Sequence, residues 1–247
     1  MKPQEGSCDP MQPFLRRLPK DLPLGVARLL ALVLVEIFAI VAGGLCLKIW
    51  TKHHKWQVLL NEHLPTGVSA TLEYNDVKTT SIVLFVTTHL VTVVVGKSLL
   101  LIVHDIFGIL PKFVLRRLPN VGEPLSSYTL PHQATALFFS VVFLFIAAAF
   151  HMNVVFNRSG TVAFGHGSTE LPSSDLDLIL RELGISLPYK DVEYIRVSGE
   201  LAPPAVLFGI IAVVVTIVAW HRHRKVDAGL VESEIEKNIV VDIIGNS

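Results

Sequence analysis

Leu29 to Leu47 reads LLALVLVEIFAIVAGGLCL, with Glu36 its only charged residue. A helix needs about 20 mostly apolar residues to cross the hydrocarbon core of a bilayer. The run meets that length. Three others resemble it, from Ser81 to Val103, Ala134 to Phe156 and Leu201 to Trp220. The pattern predicts an all-α membrane protein, a four-transmembrane-helix bundle occupying residues 29–220, with spans at 29–47, 81–103, 134–156 and 201–220. Outer loops then cover 48–80 and 157–200, and tails cover 1–28 and 221–247.

Composition agrees with this reading. Hydrophobic residues make up 51% of the chain and charged residues 17%, and mean hydropathy is +0.54, too apolar for an ordinary soluble domain. The formal net charge is zero and no basic patch carries interleaved aromatics, so nucleic acid is not an expected partner. The expected partners are the lipid bilayer and other membrane proteins, or a second copy of the chain.

Lys and Arg decide orientation, because their excess marks the cytosolic side. Four spans put both termini on one face. Arg16, Arg17, Arg116, Arg117 and the run HRHRK at His221–Lys225 cluster there, so both termini are expected in the cytosol. LRRLP occurs twice, at Leu15–Pro19 and Leu115–Pro119, without similarity around it; the two copies read as basic flanks able to meet anionic headgroups. The first apolar run is longer than a signal-peptide core, and a signal anchor is expected.

Cys8 and Cys46 are the only cysteines, leaving the outer loops without a disulfide. The loop motifs of tetraspanins, claudins and connexins are missing. Ser173–Gly184 predicts a short amphipathic helix with a Ser N-cap, early acids and a terminal Gly. The β-branched stretch Val192–Val197 is expected to pair with Ala70–Tyr74, completing a small outer cap from the two loops. Asn157-Arg158-Ser159 is a glycosylation sequon hard against a span. In the C-terminal tail, Val231, Ile235, Ile239 and Ile243 form a helical stripe.

Charged residues inside the spans are the functional signal, since such groups face the bundle and pair. Glu36 and Lys97 lie at similar depths from the cytosolic ends of their spans and are expected to form an intramembrane pair. Thr88, His89, Thr92 and Ser140 extend this into a polar seam, acting as an assembly lock or as a proton or ion relay. Ala39 and Gly43 on the Glu36 face allow close helix approach. His89, His104, His132 and His151 flank or enter the second and third spans, an arrangement that suggests axial haem ligands. Unequal spacing on the two helices argues against haem. No metal or cofactor is expected, and no hydrolase elbow, phosphate loop or zinc-protease motif occurs.

These residues point to a non-enzymatic four-span protein that organises or regulates membrane partners. The alternative is a transporter or channel component using the seam. A haem-binding redox protein stands third.

Overall fold

Each apolar run forms a helix that outlasts it at both ends. The computed structural model describes residues 24–107, 125–165 and 172–245, with the side chains of residue 173 and residues 226–245 outside that description. The long helices are α1 (Gly25–His63), α2 (Asn75–Phe107), α4 (Leu130–Asn157) and α6 (Glu193–Gly245). All four are long and apolar enough to cross a membrane. Hydropathy stops at the first polar residues, whereas backbone hydrogen bonding continues through Lys, His and Glu, all acceptable in a helix. The tail stripe accordingly lies on the last part of α6, and its side chains are outside the description. The LRRLP copies also lie outside the described residues.

The helices pack in a closed ring, α1 against α2, α2 against α4, α4 against α6 and α6 against α1. The interior is small and aliphatic, with Leu32, Val35, Ala39, Leu84, Val91, Leu137, Leu144, Ala205 and Ala212 buried. The outer surface reverses the soluble pattern. Ile40, Val93, Phe143, Phe145 and Phe150 are all exposed there, a continuous apolar exterior far beyond what a soluble monomer carries.

One end of the ring bears a cap; the other, where α1 begins, is called basal here. In the cap, β1 (Ala70–Glu73) pairs antiparallel with β2 (Thr161–Phe164), Ala70 opposite Phe164 and Glu73 opposite Thr161. The expected strand at Val192–Val197 is instead the end of a 3-10 turn (Tyr189–Asp191), closed by Val192, and the start of α6 at Glu193. The correction has a physical cause: Val192, Ile195, Ser198 and Ala202 are buried at helical spacing, so packing overrides the β-branched composition. The other edge of β1 is closed by α1, where the Gln57 amide donates to Ala70 O (2.9 Å) and accepts from Leu72 N (2.7 Å).

Helix α5 (Ser173–Glu182) is capped by Pro172 without a side-chain bond, not by a Ser. Gly184 ends it with φ +65°, a conformation that favours glycine. A separate core holds the cap together, with Leu60, Leu72, Tyr74, Tyr189, Val192 and Ile195 buried. Tyr74 donates to Ser186 O (2.6 Å) and stacks edge-on with Tyr189. Burial raises the Tyr74 phenol above its ordinary value and pushes Tyr189 up to about 12, the nearby Asp76 charge adding to the latter. An Asp76–Arg158 ion pair ties the start of α2 to the end of α4.

Candidate functional site

Gly43 on α1 meets α2 so closely that a Cβ there would lie 3.0 Å from Thr88 Oγ1 and 3.9 Å from the Phe85 ring. This confirms the close approach expected at Gly43. Continuing that antiparallel register sets Glu36 opposite Thr92–Val95 and Lys97 opposite Ala31–Leu34, within about one helical turn of each other. Depth therefore agrees with the expectation, but direction does not. Nine residues separate Thr88 from Lys97, about two and a half turns at 3.6 residues per turn, so Lys97 points away from α1.

Lys97 is exposed on the outer surface of α2, in line with Val86, Leu90 and Val93. Glu36 is half-buried, and its buried Oε2 atom has no hydrogen-bond partner among the described residues. The ion pairs among the described residues are Asp76–Arg158 and Arg196–Glu200. Glu36 and Lys97 are not a pair within the chain.

The expected seam does not form as a connected network either. Thr88 and Ser140 are buried, but each hydroxyl donates to its own helix, to Phe85 O (2.8 Å) and Ala136 O (2.8 Å). Ser98 and Thr216 do the same, to Val94 O and Ala212 O. A hydroxyl in an apolar helix interface finds its nearest acceptor one turn back, so no partner on another helix is required. Thr92 is half-buried. His89 is exposed and bonds Phe85 O (3.1 Å) on its own helix.

The four histidines separate as well. His151 is fully buried where α2, α4 and α6 meet below the cap, with Nδ1 3.1 Å from Thr80 Oγ1 and Nε2 2.8 Å from Ser198 Oγ. Both ring nitrogens are thus engaged by hydroxyls, Ser198 donating onward to Ile195 O (2.6 Å) and Thr80 also lying within donating reach of Asp76 O (3.1 Å) and Val77 O (3.2 Å). Neither nitrogen is left for iron. His104 is buried near the basal end, whereas His132 is exposed. No group of three or more metal-ligating side chains occurs among the described residues.

A second polar centre, which the sequence did not single out, closes the basal end. Arg28 is only 1% exposed, and its Nη2 donates to Gln133 Oε1 (3.0 Å) on α4. Gln133 Nε2 donates in turn to Thr129 Oγ1 (2.7 Å) and Ser126 O (3.3 Å). On α2, Asp105 accepts from Leu125 N (3.0 Å) and Ser126 N (2.8 Å), capping the single-turn helix α3 (Leu125–Tyr128). Among the described residues, Arg28 Nε and Nη1 and the hydroxyls of Ser126 and Ser127 have no hydrogen-bond partner. Arg28 and Gln133 read in sequence as ordinary flanks of apolar runs; their only signal is that each sits within the first turns of its helix.

No family model, curated protein or solved structure matches the chain.

Proposed function

We propose that the chain is a four-span integral membrane protein, with both termini in the cytosol and the cap on the opposite face, that works without catalysis by assembling with membrane partners. Four long apolar helices, an apolar exterior and basic flanks on the basal side support the membrane reading. The observation that carries the function is a pair of ionisable side chains with no partner among the described residues: Glu36, half-buried on α1 with a buried Oε2, and Lys97, exposed on the outer face of α2. A charge at this depth costs about 2.5–3.5 kcal/mol on insertion scales. A partner helix that supplies the opposite charge removes that cost, making the α1–α2 side the assembly face.

Polymer extraction from native membranes tests this without dissociating complexes. The extracted particle should exceed the mass of one 27.2 kDa chain in its lipid disc, and Glu36→Gln or Lys97→Met should return it to single-chain mass. A parent protein already at single-chain mass would contradict the proposal. The transporter reading draws support from the same free carboxyl of Glu36, a group able to take up and release a proton. Proton flux into liposomes that disappears in Glu36→Gln would place it first.

A further inference from the structure

A groove of about 260 Å³ runs along the outside of the α1–α2 contact in the cap-side half of the bundle, lined by Cys46, Leu47 and Trp50 of α1 and by Lys78, Ser81, Ile82, Phe85 and Val86 of α2. From Lys78 to Val86 it extends about 12 Å at 1.5 Å per residue. Its deeper walls are hydrocarbon and aromatic. Its one charged member, Lys78, stands at the cap end beside Trp50, where a tryptophan at the membrane interface would be expected.

Lys78 is half-buried and makes no ion pair or side-chain hydrogen bond among the described residues. The acid nearest in sequence, Asp76, is held by Arg158, and Lys48 lies over the Tyr194 ring. The groove thus joins an apolar slot to an ammonium that no described residue compensates. Water suits the slot poorly and an apolar helix leaves the ammonium unmatched; an acyl chain below a phosphate matches both.

We infer that this groove binds one phospholipid of net negative headgroup, its acyl chain lying along Cys46, Phe85 and Val86 and its phosphate at Lys78. The inference rests on the chain crossing a bilayer, and the groove lies on the cap side of Glu36 and Lys97.

Trp50 lines the groove and reports on its occupant. With Trp56→Phe and Trp220→Phe leaving Trp50 as the single tryptophan, the protein is placed in phosphatidylcholine nanodiscs. These are doped with equal fractions of phosphatidylglycerol or phosphatidylcholine brominated on the acyl chain. Brominated phosphatidylglycerol should act as though enriched roughly fivefold, the ratio expected for one lysine near an anionic headgroup. Lys78→Gln should equalise the two lipids, whereas Lys52→Gln, an exposed lysine outside the groove, should leave the preference intact. Excess glycerol phosphate in solution should change nothing.

Equal quenching in the parent, a preference surviving Lys78→Gln, or loss of the preference to glycerol phosphate would each overturn the lipid assignment. Quenching by neither lipid would overturn the four-span reading and the site together. If the tryptophan substitutions prevent folding, native mass spectrometry of the otherwise unaltered chain replaces quenching. Retained phosphatidylglycerol that Lys78→Gln removes is then expected, and equal retention by both chains would refute the site.

Discussion

Replacing Glu36 by Gln and Lys97 by Met, singly and together, distinguishes a buried ion pair from two independent charges by the sign of the effect. A buried pair broken from one side loses about 3–5 kcal/mol, because the remaining charge is stranded, and the double change recovers much of the loss. In this structure Lys97 points away from α1, and Glu36 Oε2 has no partner to lose. Each neutralisation therefore removes a charge that was already uncompensated. For the isolated chain the expected effect is neutral to stabilising, bounded by the insertion cost of about 2.5–3.5 kcal/mol per charge. The two changes should add within about 0.3–0.5 kcal/mol, since residues without shared partners rarely couple more strongly. Reversible unfolding of the purified chain in mixed micelles, followed by circular dichroism across all four proteins, measures both quantities. Single losses of 3 kcal/mol or more with recovery in the double variant, the signature of a buried pair, would refute the geometry argued for α2.

Three further outcomes are expected. Gly160→Ala should disorder the cap, because its Cβ would fall 1.8 Å from the Tyr74 ring, while Gly44→Ala, inside α1 with nothing within 4 Å, should be neutral to stabilising by up to about 1 kcal/mol; thermal unfolding of both variants checks the contrast. His151→Leu should cost about 1–3 kcal/mol, two hydrogen bonds at about 0.5–1.5 each, while Thr80 and Ser198 keep the bonds to their own helix carbonyls; a near-zero effect in the same assay would mean the bonds to His151 do not form. Burial favours the neutral phenols of Tyr74 and Tyr189, so their contribution to cap stability should be fully present below pH 10 and lost as pH rises towards about 12 and beyond; tyrosinate absorbance appearing together with loss of cap structure, rather than before it, is the expected titration.

The helices were legible because crossing a bilayer takes about 20 mostly apolar residues, and four windows met that length. Their ends were not, since α1 runs on to His63 and α6 to Gly245 through residues that hydropathy discards but a helix accepts. Strand β1 was legible and its partner was not. Thr161–Phe164 is four residues long directly after a span, while Val192–Val197 has strand composition but buries one helical face. For Glu36 and Lys97, counting residues gave depth to within a turn, yet whether two groups meet also depends on azimuth, which required the contact at Gly43. His151 stood out as a residue; its role followed only from Thr80 and Ser198, which are distant in sequence. Arg28, Asp105 and Gln133 were missed because flanking polar residues are ordinarily solvated, and only tertiary packing buries Arg28 and Gln133.

The account depends most on four crossings that leave both termini on one face and the cap on the other. Protease protection in sealed, cytosol-side-out vesicles tests this directly, using epitope tags at each terminus, near Asn120 and near Gly167. The tags at the termini and near Asn120 should be digested, and the tag near Gly167 should be protected until detergent is added. A Gly167 tag digested together with both termini would contradict the four-span arrangement.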